Sequence, residues 1–132
     1  MYLLPSRFHE SPLTQSEARK FCEEEQQLPA RLVEIESAEE NSAIIAEIKR
    51  RNFVSRKVEF WIGITDRHYE GRWVLESTGK SVVFTDWHSG EPNNYKSVEN
   101  CAVWYPHYKW NDVYCDRAML EDGRMRTALC EM

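Results

Sequence analysis

Ala18, Phe21 and Cys22 recur at helical spacing behind Thr14-Gln15-Ser16-Glu17, a Thr-x-x-Glu run of the kind that closes a helix N-terminus with reciprocal hydrogen bonds. The pattern predicts a first helix from about Gln15 to Glu25. Leu32-Val33-Glu34-Ile35 alternates as a short strand does, and Ser37-Ala38-Glu39-Glu40 then repeats the capping pattern ahead of Ile44, Ile45 and Ile48. A second helix is expected from about Ala38 to Arg51. From Val58 onward the period changes: short runs containing Trp, Val, Tyr and Phe are separated by Gly, Asp and Asn, which predicts strands and turns. Two helices followed by short antiparallel strands and a long irregular loop make an α+β fold.

Composition narrows the class. The chain has 132 residues, 42% of them hydrophobic, with five Trp, six Tyr and five Phe, so one domain over residues 1–132 can bury a core of useful size. Its 17 basic and 22 acidic side chains give a formal charge of −5, and no basic stripe interleaved with aromatics tracks a phosphate backbone. Nucleic acid is not an expected partner. Apolar runs are short, such as Ala43 to Ala46 and Trp61 to Ile64, so no membrane insertion is expected. Met1-Tyr2-Leu3-Leu4-Pro5 lacks a charged leader and a long apolar core and does not read as a signal peptide. The triplet Glu23-Glu24-Glu25 reads as a solvated face, and Lys49-Arg50-Arg51 as cations at the negative end of a helix dipole. Four cysteines allow three pairings, among which composition does not choose.

The chemistry is concentrated between Glu91 and Asp112. Glu91-Pro92-Asn93-Asn94, Glu99-Asn100-Cys101 and Trp110-Asn111-Asp112 bring carboxylate and amide oxygens to a density found nowhere else in the chain. Taken singly, each piece reads equally as a turn-rich surface loop. Taken together they suit a hard divalent cation in a loop, and Ca²⁺, which accepts six to eight oxygens in flexible geometry, is the expected cofactor.

Catalysis has less support. Glu91, Glu99 and Asp112 could be arranged for glycoside hydrolysis, but calcium would keep these carboxylates ionised and remove the raised pKa that a general acid needs. His9, His68, His88 and His107 form no His-x-x-x-His or Glu-x-x-His set, and no Cys-x-x-Cys accompanies them, so zinc is not expected. The glycines are too scattered for a phosphate cradle, and no Gly-x-Ser-x-Gly elbow occurs. The expectation is a binding module, not an enzyme.

The order of these pieces resembles the carbohydrate-recognition domain of the C-type lectins. The resemblance runs from about Phe8 to Glu131 and includes Trp61-Ile62-Gly63-Ile64, Glu70-Gly71-Arg72-Trp73, Trp87 before Gly90-Glu91-Pro92-Asn93, and Cys130-Glu131. It implies a C-type lectin-like fold with disulfides Cys22 to Cys130 and Cys101 to Cys115, hence an oxidising compartment and a secreted or extracellular protein. It also implies that Glu91, Asn93, Glu99, Asn111 and Asp112 hold the principal Ca²⁺, with two neighbouring sugar hydroxyls completing its coordination. A cis bond before Pro92 would turn its two flanking side chains towards one ion, whereas a trans turn proline is the plainer alternative. A second calcium position would fall on Asp66, Glu70, Asn94, Glu99 and Asn100; Asn94 and Asn100 both stand where acids are usual, Asn94 as a common variant and Asn100 as the loss of a further carboxylate that should weaken the ion's hold.

The sugars implied by Glu-Pro-Asn are mannose, fucose or N-acetylglucosamine at the ends of glycans. Related lectins with Gln-Pro-Asp tend to prefer galactose, and galactose is the alternative here because Tyr95, bordering the site with Val113, could stack on a sugar ring. A lectin-like module that binds protein, ice or mineral surfaces is the alternative of another class. One shallow site should bind a monosaccharide weakly, so a non-covalent homo-oligomer is the expected working form on glycans.

Overall fold

The computed structural model describes residues 7–8, 11–24, 30–50, 57–104 and 109–131. The first capping pattern forms with both of its hydrogen bonds and the second with one. Thr14 N–H donates to Glu17 Oε1 at 2.8 Å and Glu17 N–H to Thr14 Oγ1 at 3.3 Å, so helix α1 starts at once and spans Gln15–Glu24. Glu40 N–H donates to Ser37 Oγ at 3.1 Å at the start of α2, Ala38–Arg50. Glu25 and Arg51, to which the expected helices extended, lie outside the described residues, as do His9 and His107.

Two sheets form. In the smaller, β8 (Leu129–Glu131) lies between β1 (Arg7–Phe8) and β2 (Arg31–Leu32), antiparallel to both. In the larger, β3 (Val58–Thr65) pairs with β4 (Val74–Leu75) and β5 (Cys101–Trp104) antiparallel and with β7 (Met125–Thr127) parallel, and β5 carries β6 (Trp110–Val113) on its far side. All eight residues of β3 are buried. The strand is covered on both faces: Phe60, Ile62 and Ile64 pack with Ile44 and Ile48 of α2 and with Trp73 and Trp110, while Trp61 packs with Ala18 and Cys22 of α1, Val103 and Val113.

Two expectations need correction. The strand expected over Leu32 to Ile35 is only Arg31–Leu32. Beyond it the chain leaves the ladder to bridge the sheets, with Val33 N–H on Leu129 O at 3.1 Å and Val33 O accepting Gly63 N–H at 2.8 Å. Gly63 permits that approach, because a Cβ there would lie 3.1 Å from Leu32 O and 3.2 Å from Val33 O. The long loop is also displaced. Residues 76–100 form no ladder beyond isolated bridges and the 3-10 turn Tyr95–Ser97, but Asn111 and Asp112 belong to strand β6. The burial of Trp110 and Val113 on either side of them, opposite Trp104 and Cys101, holds that strand in the sheet.

Two disulfides brace this frame. Cys22–Cys130 ties α1 to β8, and Cys101–Cys115 ties the start of β5 to the chain just past β6. Among the described residues, no helix is long and apolar enough to cross a membrane.

Candidate cation and ligand site

Aromatic packing fixes the base of the loop. Trp87 packs against Trp73 at 4.9 Å and Trp110 at 5.7 Å between ring centroids, and Phe84 meets Trp110 edge-on. The backbone follows: His88 N–H donates to Trp110 O and Trp110 N–H to Asp86 O. Asp86 in turn accepts from Asn41 Nδ2 of α2 and from Lys109 Nζ. The segment leading to Glu91 is thereby held beside β6, which carries Asn111 and Asp112.

At the tip, Asp112 organises the backbone. It is 1% exposed, and its Oδ1 and Oδ2 accept the N–H groups of Asn93 at 3.1 Å and Asn94 at 2.7 Å. Asn94 adopts a left-handed conformation with φ 46°, and its Oδ1 accepts Glu99 N–H at 3.1 Å. Glu99 Oε1 closes the turn by accepting Tyr95 N–H at 2.9 Å. The Glu91–Pro92 peptide is cis. Glu91, Asn93, Glu99 and Asp112 are thus collected around one strand end, with Asn111 beside Asp112.

The electrostatics of this group are unfavourable to charge. Burial raises the Glu91 carboxyl above its ordinary value, and the Asp112 carboxyl, close enough to share a proton with it, raises it further. Burial also raises Glu99, against the Tyr95 N–H that favours its ionised form, and the charges of Asp112 and Glu91 add to the rise. Glu91 Oε1 and Asn111 Oδ1 are buried without a hydrogen-bond partner. Among the described residues no three His, Cys, Asp or Glu side chains are grouped as a metal site. Two of the five residues in the expected set are asparagines, and one Glu99 oxygen is turned to the Tyr95 backbone.

A second oxygen group lies nearby. Asp66 is buried, its Oδ2 accepts Gly71 N–H at 2.9 Å, and its own N–H donates to Asn100 O. With its amide nitrogen turned towards the carboxylates, Asn100 donates to Asp66 Oδ1 at 2.9 Å and Glu70 Oε1 at 3.2 Å. Contact with the Asp66 carboxyl raises the Glu70 pKa. Asp66, Glu70 and Asn100 therefore come together, while Asn94 and Glu99 are engaged with each other.

A hollow of about 350 Å³ adjoins the tip, and the sequence reading missed it. It shares Tyr95, Glu99 and Val113 with the expected site and adds Lys96, Tyr114 and Arg117. These come from separated stretches, so no local pattern marks them.

Comparison with known proteins agrees with this architecture. The profile of the family described as "Lectin C-type domain" matches residues 11–131. This chain belongs to the C-type lectin domain family. The lectin domain is 41% identical over 86 residues to the hepatic lectin of Gallus gallus, and 33% identical over 102 residues to a perlucin-like protein of Mytilus galloprovincialis. Those matches cover 62% and 76% of this chain but only 42% and 62% of the two relatives, so it spans part of their length. Among solved structures, it is similar to the cow C-type carbohydrate-recognition domain of CD23, solved in the presence of a GlcNAc2Man3 oligosaccharide, with 29% identity and a TM-score of 0.72. That match covers 95% of this chain and 84% of the other. The human scavenger receptor C-type lectin domain matches with the same identity and TM-score, over 95% and 87%. The α+β, C-type lectin-like fold is the one expected, and family and fold are those of lectins, not enzymes.

Proposed function

We propose that this lectin domain binds glycans in a calcium-dependent manner, through Glu91, Asn93, Glu99, Asn111 and Asp112, and prefers terminal mannose, fucose or N-acetylglucosamine. The observation that carries the reading is the buried, unpartnered Glu91 Oε1 of a carboxyl set against that of Asp112, and Asn111, next to Asp112 along β6, also keeps a buried Oδ1 without a partner. Carboxylate and amide oxygens are the donors a hard divalent cation takes, and such a cation would offset the burial and like charge that raise Glu91 and Glu99. Calcium bound there would supply coordination positions for two neighbouring sugar hydroxyls. The chain's own contribution is directional. Glu91 and Glu99 accept the hydroxyl protons, Asn93 and Asn111 donate through their amide NH₂ groups, and Asp112 holds the Asn93 and Asn94 backbone in place. The acceptor-then-donor order across Pro92 favours the mannose class, and the oligosaccharide of the CD23 domain is built from N-acetylglucosamine and mannose.

Galactose is the second reading, favoured by Tyr95, a residue 60% exposed beside the tip. The Asp66, Glu70 and Asn100 group is the weaker cation position, because the Asn100 amide already donates to both carboxylates. We read residues 1–132 as one domain that acts outside the cell, where its two disulfides persist, and that reaches useful avidity on glycans as a non-covalent homo-oligomer. A glycan array read with millimolar calcium and again with chelator tests the proposal. Signals on mannose-, fucose- or N-acetylglucosamine-terminated glycans that vanish with chelator are expected. Signals on galactose alone would transfer the reading to Tyr95, and binding indifferent to chelator would overturn it.

A further inference from the structure

The hollow beside the tip has chemistry of its own. Its apolar lining includes Val98, Val113 and Leu120, and two exposed tyrosines stand at it, Tyr95 at 60% and Tyr114 at 47%. Such surfaces match the C–H face of a pyranose ring and give orientation without charge. The polar lining is mainly cationic, with Lys96, Arg117 and Arg126 against the single carboxylate of Glu99. Their availability differs. Arg126 is buried over Trp61, its Nε donates to Glu59 Oε1 at 3.1 Å, and Arg124 with Asp122 completes that group, so its charge is already balanced. Lys96 lies over the Tyr95 ring at 5.5 Å and pairs with no carboxylate among the described residues. Arg117 gives one N–H to Met119 O and meets Glu121 only at 3.9 Å, where Glu121 is 96% exposed. Two cations without a close carboxylate partner among the described residues thus face one hollow in a chain whose net charge is −5.

We propose that this hollow is a second subsite, which receives an anionic substituent, carboxylate or sulfate, on the sugar residue next to the one held at Glu91 and Asn93. The proposal rests on the sugar-binding reading above, because the hollow shares Tyr95, Glu99 and Val113 with that site and so lies within reach of the neighbouring residue of the same glycan. Charge complementarity selects the substituent: Arg117 matches a planar carboxylate or a sulfate by a two-pronged contact, and Lys96 adds a mobile point charge. The subsite would therefore turn a weak monosaccharide site into one selective for acidic oligosaccharides.

Three disaccharides with terminal mannose test it, their second residue carrying no charge, a carboxylate (glucuronic acid) or a sulfate (6-sulfated N-acetylglucosamine). Affinities are measured by calorimetry in millimolar calcium at low and physiological salt, with an acidic peptide lacking sugar as a fourth probe. At least one charged disaccharide should bind about tenfold tighter than the uncharged one, a gain that shrinks with salt, and which of the two gains identifies the anion. The exposed double substitution Lys96→Ala with Arg117→Ala should abolish the gain and leave uncharged binding as it was. Equal affinities for all three disaccharides, a gain that survives the double substitution, or tighter binding of the peptide would overturn the subsite. If uncharged mannobiose does not bind in calcium, the sugar reading at Glu91 fails separately. The subsite is then decided by the charged disaccharides: binding lost on double substitution supports it, and binding absent or unchanged refutes it.

Discussion

The body of the domain and the tip of its loop both bury carboxylates, but they treat them in opposite ways. In the body Glu59 is fully buried and lies between Arg124 at 2.7 Å and Arg126 at 3.1 Å. Glu34, 2% exposed, accepts from both the N–H and the hydroxyl of Ser77. At the tip, Glu91 faces the Asp112 carboxyl and keeps one oxygen unpartnered, and no arginine or lysine pairs with either among the described residues. Desolvation acts in both places. Only the body answers it from within the chain, and for the tip an external cation is the proposed answer.

Four perturbations sharpen that contrast. The largest effects belong to the body. Replacing both Cys22 and Cys130 by serine opens a closure of 108 residues and should cost about 5 kcal/mol in the chain-entropy picture, against about 3 kcal/mol for Cys101 with Cys115, which closes 14. Denaturant unfolding of the two double variants gives the comparison, and equal losses would contradict it. Glu59→Gln keeps the shape but leaves Arg126, 5% exposed, without its counter-charge, and should cost about 3 to 5 kcal/mol in the same measurement.

Glu91→Gln should act with the opposite sign. Removing one of two facing carboxyls should leave stability in chelator unchanged or higher, while most of any stabilisation by calcium is lost. A fall in stability in chelator matching that of Glu59→Gln would mean that the tip carboxylates are satisfied much as those of the body are.

The pH dependence follows from the same carboxyls. Burial and like charge raise Glu91 and Glu99, and contact with Asp66 raises Glu70, all from an ordinary 4.5, so the folded state holds protons that the unfolded state has released. Stability without metal should therefore be greatest near or below pH 4.5 and decline as the pH rises above it. Glu131, raised by burial against the opposing Arg31, adds in the same sense. Glu17 and Asp122 are lowered mainly by backbone N–H groups and act below that range, so they do not mask the trend. Thermal unfolding in chelator between about pH 4.5 and 7 checks it, and Glu91→Gln should flatten the decline.

What could be read from the sequence was whatever is local. Thr14 with Glu17, and Ser37 with Glu40, lie three residues apart and mark both helix starts, and the isoleucines of α2 carry its buried stripe at helical spacing. Most of the expected ligands lie within one stretch, so their density was visible before their geometry. Long-range agreement was harder to see. Nothing near Asn111 and Asp112 announces that Trp104 and Cys101 pair with the residues flanking them and make them part of a strand. The contact of Gly63 with the carbonyls of Leu32 and Val33 requires two sheets to meet, and the hollow requires Lys96 and Arg117 to converge from separate loops. The turning of the Asn100 amide towards Asp66 and Glu70 depends on three side chains whose spacing has no period.

The most direct test of the central claim is the melting temperature of the disulfide-intact domain near neutral pH, taken in chelator, in millimolar calcium, and in calcium followed by excess chelator. A rise of several degrees with calcium that excess chelator reverses, and that is largely missing in Glu91→Gln, is the predicted result. Superimposable melting curves in calcium and chelator would contradict the account and leave the oxygens at the tip without the cation proposed for them.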